Sequence, residues 1–323
     1  MSLNRIIAIA PMMDWTDRHC RYFMRLLSQH TLLYTEMVTT GALLHQDPAR
    51  WLRHDPSEHP LALQLGGSNP QDLAKCAILA ENFGFQEVNL NVGCPSNRVQ
   101  EGRFGACLMA EPGLVANCLA AMQEVVTIPV TIKTRIGIDQ HDSYKELQEF
   151  IAKVSESGCK TFIIHARKAW LKGLNPKQNR EIPPLRYAWV WQIKQDFPHL
   201  TICLNGGITQ LAEISLHLQH VDGVMLGREA YHNPYLLAEL DQRFYGSLAP
   251  IKSRYEVIEA LLPYLEAEMA KGIAVKAITR HILGLFQGLP GARQWRRILS
   301  CHDQKDNISV IDLALAATRQ QNS

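Results

Sequence analysis

Glu87-Val88-Asn89-Leu90-Asn91-Val92-Gly93-Cys94-Pro95 reads as a short strand that ends on a polar residue and runs into a glycine and proline turn carrying a thiol. The same arrangement recurs along the chain. Apolar runs rich in Val, Ile, Leu and Thr lie at Ile6–Pro11, Leu32–Met37, Leu61–Gly66, Glu87–Asn91, Pro129–Arg135, Thr161–Arg167, Leu200–Gly206 and Val221–Gly227, eight candidate strands in all. Helical patterns at Asn69–Phe83, Gly113–Val126, Ser143–Ser157 and Leu211–Gln219 fall between them, the alternation of parallel strands with crossovers. Count and size match an α/β fold, a (β/α)8 TIM barrel. The doubly wound sheet would show a GxGxxG turn opening its first helix, and none is present. Nearly every strand ends in a reactive or backbone-exposing residue: Met12, Glu36, Gln64, Asn91, Lys133, His165, Asn205 and Arg228. A barrel gathers such ends on one face.

With 323 residues, 46% of them hydrophobic, the chain can bury one large core and a smaller second one. A net charge of +2 carries no overall polyanion signal, so nucleic-acid binding would have to come from local clusters. The apolar run Ile6–Met13 is broken by Pro11 and is too short for a signal peptide or a membrane span. Eight cysteines without paired spacing suggest neither disulfides nor a metal site, and place the chain in a reducing cytoplasm. Past Tyr245 only helical periodicity remains, at Tyr255–Lys271, Ile273–Gln287, Gly291–Leu299 and Ile311–Arg319. The expected organisation is a barrel over 1–244 and an all-helical domain over 245–323.

Cys94 stands outside any metal-ligand spacing at a strand end, which invites a catalytic reading over the commoner role of a small apolar core residue. Asn205-Gly206-Gly207 and Gly227-Arg228 follow the seventh and eighth strands, the usual phosphate position of such barrels. Alternation puts Thr131, Lys133 and Arg135 on one face, and two inward cations call for an anion such as a phosphate or a reduced flavin ring. Gln64 can donate and accept, as the pyrimidine edge of a flavin requires, and His165 can donate to a ring or phosphate oxygen. Jointly these point to a phosphate-bearing aromatic cofactor. Between Ala166 and Arg186 there are six cations against one carboxylate, with Trp170 among them. Lys276 and Arg280, then Arg293, Arg296 and Arg297 with Trp295, form further basic clusters, and cations mixed with aromatics suit a phosphate backbone and unstacked bases.

Ala10-Pro11-Met12-Met13-Asp14-Trp15-Thr16-Asp17, Gln64-Leu65-Gly66-Gly67, Asn89 to Ser96, Lys133-Thr134-Arg135-Ile136-Gly137, His165-Ala166-Arg167 and Asn205-Gly206-Gly207 together resemble the tRNA-dihydrouridine synthases. Thr35–Gly41, His165–Leu185 and Gly284–Arg297 are similar to segments of the bacterial A-type branch. The resemblance implies an FMN-binding barrel with a helical tRNA-binding domain, no metal and no membrane association. It implies NADPH as reductant and uridines 20 and 20a of the tRNA D-loop as targets. By the same resemblance, FMN would contact Pro11, Met12, Met13, Gln64, Lys133, His165, Asn205, Gly206, Gly207, Gly227 and Arg228. Cys94 would be the proton donor, Asn91 would lie close to the uracil, and Lys177, Arg180, Arg293, Arg296 and Arg297 would hold the tRNA. Two other readings stay open: a flavin barrel acting on a small molecule, as dihydroorotate dehydrogenases do, and a non-catalytic tRNA-binding barrel.

Overall fold

The computed structural model describes residues 3–300 and 308–319, and the chain falls into two compact units. The first comprises Met1–Met13 and Leu32–Gly227; the second comprises Asp14–Thr31 and Arg228–Ser323.

In the first unit eight strands, β1 (Ile7–Ile9), β2 (Leu33–Thr39), β3 (Leu61–Gly66), β4 (Glu87–Val92), β5 (Val130–Arg135), β6 (Thr161–His165), β7 (Thr201–Asn205) and β8 (Gly223–Leu226), pair in parallel in the order β1-β8-β7-β6-β5-β4-β3-β2. Ile9 N–H donates to the Leu32 carbonyl at 2.9 Å and Leu32 N–H to the Ile7 carbonyl at 3.1 Å, which joins the two ends of the sheet. This is the (β/α)8 barrel that the strand count implies.

Register decides which side chains meet inside. Gln64 lies opposite Asn89, Asn89 opposite Thr131, Asn91 opposite Lys133, Arg135 opposite His165, and His165 opposite Asn205. The other part of the lumen is apolar and close-packed: Ala8, Ala10, Leu32, Tyr34, Ala62, Ile163, Cys203 and Met225 form one buried cluster. On β4 the usual amphipathic sense is inverted. Its alternate residues Val88, Leu90 and Val92 point the other way and are fully buried, while Glu87, Asn89 and Asn91 face the lumen. Each such apolar side chain contributes roughly 1.5–3 kcal/mol by leaving water. Helix starts follow their caps: Asn69 accepts from Asp72 N–H ahead of Pro70–Asn82, and Ser143 with Glu146 makes a capping box ahead of Tyr144–Ser155.

The second unit contains helices Arg18–Leu27, Arg254–Ala270, Val275–Thr279, Ala292–Ser300 and Ser309–Arg319. Its composition differs from a division at 244/245. Residues 14–31 join it because the helix Arg18–Leu27 packs on Arg254–Ala270. The Tyr22 and Tyr264 rings stack 3.8 Å apart, the Tyr264 hydroxyl lies 2.7 Å from His19 Nδ1, and Arg18 pairs with the buried Glu268. Asp17 caps the first of these helices and receives Arg280 Nη2 at 2.6 Å. Periodicity suggests one helix over Ile273–Gln287, but only Val275–Thr279 is helical and turns follow. Gly284 packs so tightly that a Cβ there would stand 2.3 Å from the His232 carbonyl oxygen, and Gly288 and Gly291 take left-handed φ values of 81° and 79°. Among the described residues no helix is long and apolar enough to cross a membrane.

Trp295 corrects another expectation. It does not stand beside the arginines as a stacking platform; it is fully buried, tilted against Phe286, with Nε1 donating to the Ile282 carbonyl at 3.0 Å. Arg293, Arg296 and Arg297 occupy the exposed face of the same helix. Replacing Trp295 by Ala should cost about 3–5 kcal/mol in urea unfolding, the range for deleting a buried aromatic. Replacing any one of those arginines should stay within about 0.5 kcal/mol.

Candidate active site

Cys94 follows β4 in a turn tied down on every side. Asn91 Oδ1 accepts from the N–H groups of Gly93 at 3.1 Å and Cys94 at 3.0 Å. Arg135 Nε donates to the Gly93 carbonyl at 2.8 Å, Ala106 N–H to the Cys94 carbonyl at 2.9 Å, and Gln100 Nε2 to the Pro95 carbonyl at 2.9 Å. The half-buried thiol donates to Ser96 Oγ at 3.6 Å. Cys20, Cys76, Cys118, Cys159 and Cys203 are buried, and burial pushes the thiols of Cys76, Cys159 and Cys203 up to about 12. Cys301 lies outside the described residues.

Around this turn the charges are of one sign. Lys133 Nζ donates to Asn205 Oδ1 at 2.9 Å, a bond that runs from β5 to β7 past β6. Asn205 is held in that orientation by its Nδ2, which donates to the Met225 carbonyl at 2.8 Å. Burial, with Arg135 and Arg180 beside it, lowers the Lys133 ammonium to about 7, Cys94 acting in the opposite sense. Arg135 is buried and spends its guanidinium on the carbonyls of Gly93, Lys168 and Asn179; burial brings it down to about 10. His165 is held well below its ordinary value by burial and by Arg135, Lys133, Arg167 and Arg180, so it is neutral at pH 7. Its Nδ1 accepts from Arg167 N–H at 3.3 Å, which leaves the proton on Nε2. Two cations and a neutral imidazole donor form a site that an anion would complete.

Beside His165 the backbone passes so closely to Leu185 and Tyr187 that only glycine fits. Gly206 and Gly207 have φ values of 116° and 75°, and a Cβ on Gly206 would come within 3.2 Å of His165 Nε2. A Cβ on Gly227 would meet nothing within 4 Å. The loop after β6 is built around the buried Asn179, whose carboxamide accepts from Trp170 N–H at 2.7 Å and donates to the carbonyls of Trp170 and Leu174. Lys177 and Arg180 are exposed on it, while Lys168 covers the Trp170 ring at 4.0 Å.

The first unit thus places Gln64, Asn91, Cys94, Lys133, His165, Asn205, Gly206 and Gly207 at the carboxyl ends of consecutive strands, with Pro11, Met12, Met13 and Gly227 just past β1 and β8. Arg228, Arg293, Arg296 and Arg297 belong to the second unit. Two expected contacts are already engaged by the protein. Asn91 spends its oxygen on the Cys94 turn and an N–H on Gln64 Oε1 at 2.8 Å, and Gln64 donates from Nε2 to Asn89 Oδ1 at 2.8 Å. Arg135 was expected as an inward cation beside Lys133, whereas Ser96 and Asn89 were not among the expected site residues. The i, i+2 spacing of Asn89 and Asn91 was the available signal for the inward face of Asn89, and it carries no information about Ser96.

A closed parallel barrel with a thiol, cations and amides at the strand ends defines the class, a (β/α)8-barrel enzyme. Residues 8–322 match the family described as dihydrouridine synthase, and the chain belongs to that family. Proteins named tRNA-dihydrouridine(20/20a) synthase are similar to it nearly end to end. That of Vibrio parahaemolyticus is 63% identical over 313 residues, covering 96% of both chains. That of Pseudomonas putida is 62% identical over 314 residues, 97% of this chain and 94% of that one. That of Escherichia coli O6:H1 is 60% identical over 311 residues, 95% and 94% respectively. Among solved structures, a 2-naphthoyl-CoA reductase complex shares the fold with a TM-score of 0.57 at 11% identity, over 75% of this chain and 51% of that one.

Gly206→Ala should lose about 1–3 kcal/mol of stability, because an alanine at that φ is strained whatever space surrounds it. Gly227→Ala, with open space and no such φ, should remain within about 0.5 kcal/mol. Urea midpoints of the two variants test the difference.

Proposed function

We propose that the chain reduces uridine to 5,6-dihydrouridine in the D-loop of cytoplasmic tRNA, at positions 20 and 20a, with FMN as cofactor and NADPH as reductant. Relatives of that name matching at 60–63% identity over nearly the whole chain support the reaction and the positions. The single structural observation that carries the reading is the Cys94 turn, locked in place beside a barrel mouth whose charges are cationic.

The residues present fit the cofactor. Gly227, where a Cβ would meet nothing within 4 Å, leaves space at a strand end for a phosphate, and Lys133 and His165 offer donors to oxygens of an anionic ring. Bound there, FMN would supply the hydride that adds to C6 of uracil. Addition leaves an enolate-like anion at C5–C4, and the Cys94 thiol gives its proton to C5, completing the 5,6-single bond. The thiolate left behind regains a proton from water. Ser96 keeps the thiol oriented before transfer. Lys133 and Arg135 lower the cost of the negative charge that develops. Uracil must leave its stack to enter, and exposed Lys177, Arg180, Arg293, Arg296 and Arg297 suit the tRNA backbone.

Cys94→Ala should keep FMN and lose about 10²–10⁴ in dihydrouridine formation, the usual share of a general acid. Near-normal turnover on tRNA would remove Cys94 from the mechanism. A second expectation concerns pH. Lys133 stands at about 7 in the protein alone, and a bound anion raises it, so FMN binding takes up a proton above pH 7. Affinity should therefore fall as pH rises from 7 to 9, by at most about tenfold per unit, and Lys133→Met should flatten the curve. Fluorescence titration of the flavin-free protein measures both, and a flat wild-type curve refutes the assignment.

A further inference from the structure

Glu87, Asn89 and Asn91 are buried along the inner face of β4, and together with Gln64 of β3 and Thr131 of β5 they form one continuous path. At the end nearer the start of β4, Arg5 Nε and Nη2 donate to Glu87 Oε2 at 2.8 and 2.6 Å. Thr131 Oγ1 donates to Glu87 Oε1 at 2.7 Å, the buried Tyr34 hydroxyl donates to the same oxygen, and Asn89 Nδ2 donates to Thr131 Oγ1 at 2.8 Å. Gln64 Nε2 then donates to Asn89 Oδ1, and Asn91 Nδ2 to Gln64 Oε1, both at 2.8 Å. Asn91 Oδ1 finally accepts the Gly93 and Cys94 N–H groups.

Every bond in this path points the same way, and both ends demand it. A carboxylate can only accept, and a backbone N–H can only donate. The hydroxyl and the three carboxamides between them can each be reversed, so their orientation comes from the ends. We propose that Glu87 is a positioning residue: as the acceptor-only terminus it sets the direction of the relay, and through Thr131, Asn89, Gln64 and Asn91 it holds the Cys94 turn. The proposal rests on Cys94 being the acid of the reaction only for its effect on turnover.

The direction is testable because Arg5 fixes which oxygen of residue 87 is which. In Glu87→Gln, Arg5 still needs an acceptor and takes the amide oxygen, which turns the new NH2 toward Thr131. The hydroxyl and carboxamides then reverse in sequence, and Asn91 brings its NH2 against the Gly93 and Cys94 N–H groups. Adding Arg5→Met frees the carboxamide to turn its oxygen back to Thr131. Hydrogen exchange of the Gly93 and Cys94 amides in the FMN-loaded enzyme should speed up about tenfold in Glu87→Gln, the effect of one lost hydrogen bond. It should return toward wild type in the double variant, and turnover should fall and recover in parallel with KM for tRNA unchanged. Generic core damage would instead grow with the second substitution, and that result overturns the proposal. Should Glu87→Gln fail to fold, Thr131→Val breaks the path at its second member and should speed the same exchange severalfold, with Thr131→Ser restoring it. Unchanged exchange in both Glu87→Gln and Thr131→Val also overturns the relay. Exchange that responds while turnover does not upholds the relay and removes Cys94 as the acid.

Discussion

A barrel lumen has no water to spare, so each polar group that faces inward must be satisfied by another side chain. That constraint organises the first unit. β4 presents carboxylate and carboxamide groups inward, and the neighbouring strands answer with Gln64, Thr131 and Lys133 in register. The remaining lumen is filled by Ala8, Ala10, Ala62, Ile163 and Met225, which pack without such demands, and by the ring of Tyr34, whose hydroxyl donates to Glu87. The asymmetry puts the polar, orientable part of the barrel directly beneath the cysteine turn and the apolar part beneath the rest.

The same economy explains why the charges are left unbalanced. Arg135 is satisfied by three carbonyl oxygens, which meet its hydrogen-bonding needs and leave its charge in place. Lys133 meets a carboxamide oxygen. Neutral acceptors hold both cations still while preserving a positive field at the mouth, the condition under which a preorganised site stabilises charge that develops in a reaction.

Much of the barrel was legible in the amino-acid order, because strand runs ending on Asn91, Lys133, His165 and Asn205 recur at regular intervals and the register later brings those ends together. The position of Cys94 just past β4 was legible for the same reason. What was hidden depends on contacts between distant residues. Nothing in the order of residues 18–27 announces that Tyr22 stacks on Tyr264, and Trp295 looks like a surface aromatic until Ile282 and Phe286 cover it. The engagement of Asn91 and Gln64 with each other could not be read either, since a carboxamide in a sequence does not reveal which partner it has chosen. Gly284 showed a break in helical pattern only as a single residue, and its tight approach to His232 supplied the cause.

The stacking of Tyr22 on Tyr264 has a consequence for biosynthesis. Helix Arg18–Leu27 leaves the ribosome well ahead of Arg254–Ala270, the helix that Arg18, His19 and Tyr22 meet. At roughly 5–20 residues per second, the nascent chain carries that face without its partner for on the order of ten seconds or longer, while the strands of the barrel are still emerging. The chain therefore cannot finish its second unit from either end alone, and a truncated product lacking the last helices would keep a sticky amino-terminal segment, making it a natural client for chaperones and a poor candidate for expression as an isolated barrel.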